Sequence, residues 1–132
     1  MPGIEELVER LVDAGHLLGL TTGNVEAAAH IKLARCGLNR FFSFGGYGSD
    51  SADRVEVTKA ALRRAELVSG GVLIESACIS VGDTPRDIAA GHGAGIEVVG
   101  VATGNFTVEQ LREAGADWAI EDVSLGFPVQ AD

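Results

Sequence analysis

The sequence predicts an α/β protein, a three-layer α/β/α sandwich around a mostly parallel sheet. Apolar runs of strand length, at 17–22, 77–81 and 97–101, are unalternating, as strands covered on both faces would be. Segments of helical length separate them, which implies parallel pairing through right-handed crossovers. A chain of 132 residues with 46% hydrophobic residues suffices for one domain with a core, but not comfortably for two.

Taken in order, Ile4, Leu7, Val8 and Leu11 repeat at i, i+3, i+4, i+7 and predict an amphipathic helix ending near Ala14-Gly15. Leu17 to Thr22 is the first strand, closed by Gly23-Asn24, and a helix is expected from Val25 to Cys36, stopped by Gly37. Phe41 to Phe44 reads as a short strand, and Gly45-Gly46-Tyr47-Gly48 as a loop on its glycine content. A helix carries Val57, Ala60, Ala61, Leu62 and Ala65, and residues 69–76 lead to the strand Ala77–Val81. Gly82-Asp83-Thr84 turns into a helix with Pro85 in its first position, where the missing N–H costs nothing. The strand Glu97–Val101 follows, then a helix whose Thr107 and Gln110 fit a capping box, and a last short strand from Ala116 to Ile120.

Ten Lys and Arg against nineteen Asp and Glu give a net charge of −9. Such a field repels duplex nucleic acid and anionic membrane surfaces, so neither is expected as a partner. A phosphate ester remains compatible where a cation or backbone N–H groups handle the anion locally. No apolar run approaches the roughly 20 residues of a membrane span. The acidic amphipathic start has no signal-peptide pattern, and a cytoplasmic location is expected. Cys36 and Cys78 form no close motif and read as small buried hydrophobes.

In open parallel sheets, ligands bind beyond the carboxyl ends of the strands. Asp83 leaves one such end, and Asp87 follows at i+4 on the same helical face. Two carboxylates there suit Mg²⁺, which keeps water and substrate phosphate in its other positions. Equally, the pair would cap the helix and complement its dipole. Thr22-Gly23-Asn24 is a strand-to-helix turn whose N–H groups and hydroxyl suit a phosphate, or an ordinary N-cap. Arg54 and Lys59 read as a phosphate contact or as a solvated face, and the three histidines are not spaced as metal ligands.

In this order the features resemble the haloacid dehalogenase superfamily, in its phosphoglycolate-phosphatase-like branch, from Pro2 to about Ser124. LLGLTTGN resembles the second motif, in which Thr22 matches the hydroxyl that binds the transferred phosphoryl group. ISVGDTPRDIAAGHGAGIEVVGVATG resembles the fourth motif, in which Asp83 matches the direct Mg²⁺ ligand and Asp87 the second acidic residue. FFSFGGYGSDSADR helps place the third motif, a basic residue for which Arg54 and Lys59 are candidates. The resemblance implies a Rossmann-like core over residues 1–124 with a tail at 125–132, Mg²⁺ as cofactor and a small phosphorylated metabolite as substrate.

The first motif of that superfamily is Asp-x-Asp, whose first aspartate attacks phosphorus and whose second is general acid/base. The 132 residues contain no Asp-x-Asp. On the resemblance, the first strand, which lies centrally between those at 17–22 and 77–81, and the cap after it are expected to be absent. A chain without the nucleophile is expected to be inactive by itself. The other expectations are a non-enzymatic Mg²⁺- or phosphate-binding remnant and one half of a split phosphatase. Two apolar strands with bare inner edges are expected to close directly on each other, or to recruit a second copy or a complementing partner chain.

Overall fold

A computed structural model describes residues 4–21, 42–70, 78–102 and 104–121. Thr22, Gly23, Asn24, the helix expected over 25–36, Thr103 and the tail lie outside the described residues.

Helix α1 spans Ile4–Asp13 and buries Leu7, Val8 and Leu11, the stripe its spacing demands. Gly15 ends it at φ 92°, a left-handed conformation suited to glycine. Strands β1 (Gly19–Thr21) and β2 (Phe44–Gly46) pair in parallel. Helix α2 (Arg54–Ser69) begins with the Asp53 carboxylate accepting the Val55 N–H and stops at Gly70, again left-handed at φ 75°. Then come β3 (Ile79–Gly82), α3 (Pro85–Gly93), β4 (Glu97–Val101), α4 (Val108–Glu113) and β5 (Trp118–Ile120). β3, β4 and β5 form a second parallel sheet with β4 in the middle.

The period of two along β4 builds the layers. Val99 and Val101 meet Leu7 and Leu11 of α1 on one face, with Leu18, Ile79 and Ile120 packed around them. Val98 meets Ile88 of α3 and Leu111 of α4 on the other. Val98, Val99, Ile88 and Leu111 are 0% exposed, each contributing roughly 1.5–3 kcal/mol of burial. The parallel pairing, the helices on both faces, the bounds of β4 and the start of α4 match the sequence expectations. No described helix is long and apolar enough to cross a membrane.

Two expectations are corrected. Gly45 and Gly46 belong to β2 rather than to a loop. Their glycine content serves close approach. A Cβ on Gly46 would run into the Val57 carbonyl of α2, and one on Gly45 into the Tyr47 ring. Among the described residues, the strands expected at 17–22 and 77–81 do not pair with each other, because β1 pairs with β2 and β3 with β4 in separate sheets. Among the described residues, Leu18 and Ile79 pack on the cluster that Leu7 and Leu11 form with Val99 and Val101, while α2 packs on β1, β2 and α3.

Candidate functional site

The turn from β3 into α3 places the two aspartates, and local hydrogen bonding gives them different tasks. Thr84 is the N-cap of α3, its hydroxyl oxygen accepting the Asp87 N–H at 3.2 Å. Asp87 closes the capping box, its Oδ2 accepting the N–H groups of Asp83 at 3.0 Å and Thr84 at 3.1 Å. The Thr84 hydroxyl donates to the same oxygen at 3.0 Å. Oδ1 accepts from Arg54 Nη2 at 2.8 Å, an ion pair with both side chains largely covered. This carboxylate needs its near neighbour to be glycine, since a Cβ on Gly82 would overlap it.

Asp83 sits one residue outside the helix, half-buried, and its carboxylate has no hydrogen bond or ion pair among the described residues. The loop after β4 leaves it room. A Cβ on Gly104 would lie 2.7 Å from Asp83 Oδ2. Of the two basic candidates, the structure brings Arg54 to Asp87 and leaves Lys59 on the outer face of α2. There Lys59 is 45% exposed and 3.7 Å from Glu56. The buried Nε of Arg54 has no partner among the described residues. Thr22, Gly23 and Asn24 fall just past Thr21, the last described residue of β1.

Toward a hard divalent cation such as Mg²⁺, the described residues offer one uncommitted carboxylate, that of Asp83. Asp83 would be an oxygen ligand at the start of the helix, whereas Asp87 is saturated by protein donors and suited to orienting rather than binding. No group of three or more His, Cys, Asp or Glu gathers among the described residues, so other positions would fall to water and substrate oxygens. Gly104 lies in the stretch Thr103-Gly104-Asn105 that the sequence delivers beyond β4, whereas Thr84 did not stand out. The Thr-x-x-Asp spacing of residues 84–87 signals the capping box, whereas the nearness of Gly104 to Asp83 arises only on folding.

A second polar cluster lies at the end of β2. Arg64 grips Asp50 with Nη2 at 2.5 Å and Nη1 at 2.7 Å, and also donates to the Gly45 carbonyl at 2.7 Å. The Arg64 hydrogen bond, helped by the Tyr47 N–H, holds the Asp50 carboxyl down to about 2. His92 Nε2 lies 2.9 Å from Asp117 Oδ2, and together with the Val98 N–H it lowers the Asp117 pKa. Both clusters tie helices to strands.

The haloacid dehalogenase-like hydrolase family model matches residues 1–101. A phosphoglycolate phosphatase of Haemophilus influenzae is 31% identical over 123 residues, covering 92% of this chain and 53% of that protein. One from Agrobacterium fabrum is 32% identical over 127 residues, covering 96% and 53%. The chain thus spans about half the length of these curated relatives. A haloacid dehalogenase-like hydrolase from Streptococcus pneumoniae superposes with a TM-score of 0.76 at 20% identity, over 92% of this chain and 55% of that one. With a family model across most of the chain and the Gly-Asp-Thr-Pro-Arg-Asp turn built as described, the chain belongs to the haloacid dehalogenase-like hydrolases.

Proposed function

We propose that these residues form the metal- and phosphate-binding part of a Mg²⁺-dependent phosphate-monoester phosphatase core. The observation that carries the reading is the division of labour between Asp83 and Asp87. A carboxylate uncommitted among the described residues stands beside one locked by four donor contacts. Asp83 binds the metal. Asp87 fixes the turn that presents Asp83 and holds Arg54 in place. Arg54, with its unpartnered Nε, offers positive charge to a phosphoryl oxygen, and the Thr22 hydroxyl with the Gly23 and Asn24 N–H groups would hold the same group. Bound there, Mg²⁺ would neutralise charge on the phosphoryl oxygens. The likeness to phosphoglycolate phosphatases supports a small phosphorylated metabolite as substrate.

With no Asp-x-Asp in the 132 residues, this chain assayed by itself should show negligible turnover of an aryl phosphate. It should nevertheless gain thermal stability on Mg²⁺ addition, and Asp83→Asn should lose that gain. Turnover on the order of 1–1000 per second, abolished by Asp83→Asn, would place the nucleophile inside this chain and overturn the assignment. A Mg²⁺ response unchanged in Asp83→Asn would overturn the metal role.

A further inference from the structure

The main chain of Asp83 is fixed on both sides, while its carboxylate is not. Its N–H donates to Asp87 Oδ2 at 3.0 Å. Gly82 before it stands in register with Gly100 of β4, and Thr84 after it caps α3. The half-buried carboxylate itself takes no hydrogen bond or ion pair from the described residues. Among those residues, only contacts of shape select which staggered position the side chain adopts.

One such contact comes from the loop after β4. A Cβ built on Gly104 would stand 2.7 Å from Asp83 Oδ2 and 3.2 Å from Asp83 Cγ. All three of its nearest atoms belong to this one side chain. The loop is held at both ends. Ala102 donates its N–H to the Ile120 carbonyl at 2.9 Å. Ala102 and Phe106 pack against the cluster of Ile88, Val98 and Leu111, and Thr107 is the N-cap of α4.

We propose that Gly104 is a positioning residue for the metal. Its bare Cα lets the Asp83 carboxylate keep the rotamer that presents it to Mg²⁺, and a Cβ there turns the carboxylate away. This rests on the metal reading of Asp83 and extends it to a residue beyond β4. Of the two parties to the overlap, the carboxylate is the one that gives, because it is unbonded while the loop and the Asp83 main chain are anchored. Moving to the next staggered well swings its carbon by roughly 2.5 Å. Mg²⁺ holds its ligands at about 2.0–2.1 Å in a near-ideal octahedron, so an oxygen displaced that far no longer serves it.

The test is calorimetric Mg²⁺ titration of the 132-residue chain and its variants, together with metal-free NMR of isotope-labelled aspartate carboxyls. The parent should bind, Asp83→Asn should not, and Gly104→Ala should bind about tenfold or more weakly. Gly70→Ala provides the comparison for lost stability alone. Its strained turn ends α2, and a Cβ there meets nothing within 4 Å, so it should keep the parent affinity. Without metal, the Asp83 carboxyl resonance, assigned by its loss in Asp83→Asn, should move in Gly104→Ala while that of Asp87 stays. Parent-like affinity in Gly104→Ala would overturn the proposal. So would an unmoved Asp83 resonance, or an equal loss of affinity in Gly70→Ala. A parent that takes up no Mg²⁺, or an Asp83→Asn that binds as the parent does, would overturn the metal reading and the proposal with it. Those results differ from a failure of Gly104 alone, in which the parent binds, Asp83→Asn does not, and Gly104→Ala matches the parent.

Discussion

Asp83 and Asp87 stand four residues apart in one turn, yet their removal should affect folding very differently. Asp87→Ala deletes the acceptor of three local donors, and loss of a cap of this kind costs about 1 kcal/mol. It also strands the Arg54 guanidinium, whose side chain is 26% exposed. That exposure sets the cost between a surface pair, below about 1 kcal/mol, and a fully buried one at roughly 3–5, so about 2 kcal/mol is reasonable. The sum is about 3 kcal/mol, or roughly 10 °C in melting temperature for a domain of this size. Asp83→Ala removes a carboxylate with no partner among the described residues and should change stability by about 0.5 kcal/mol or less. Urea unfolding of the three proteins without Mg²⁺ gives the comparison. Equal destabilisation by the two substitutions would refute the division of roles, and so would a neutral Asp87→Ala.

Gly46→Ala should destabilise by about 1–3 kcal/mol in urea unfolding, because its Cβ meets the Val57 carbonyl, which belongs to the backbone of α2 and cannot swing aside. Gly70→Ala, where the space is open and only the φ of 75° is strained, should cost about 1 kcal/mol. Asp50 is held at about 2 against an ordinary 3.8, so its ion pair stabilises the fold above pH 3.8. That contribution is lost as pH falls from there through about 2. An acid titration of Asp50→Asn should therefore lack the part of the stability loss that the parent shows in this window.

Local signals in the sequence translated well. Thr107 and Gln110 bond each other's backbone as their spacing required, and the start of α4 and both ends of β4 fall where the sequence pattern put them. What stayed open depended on partners distant in sequence. Gly45-Gly46 reads as a turn until α2 is seen pressed against it. Arg54 and Lys59 are equivalent by composition, and the choice between them rests on Asp87, 33 residues beyond Arg54. The capping and metal readings of Asp83 and Asp87 looked like alternatives, whereas in the structure Asp87 takes the capping contacts and Asp83 is left uncommitted among the described residues. Direct closure of β1 on β3 is not what the described residues show, where the two strands pair in separate sheets.

The two sheets also differ in colour. The single tryptophan, Trp118, lies on β5, and the single tyrosine, Tyr47, adjoins β2 beneath the Arg64 guanidinium at 6.0 Å. Indole emission therefore follows the β3-β4-β5 sheet, and phenol absorbance follows β1-β2 with α2. Each half carries its own chromophore, so one melt followed at two wavelengths separates a molecule that unfolds as a unit from one whose halves part company first.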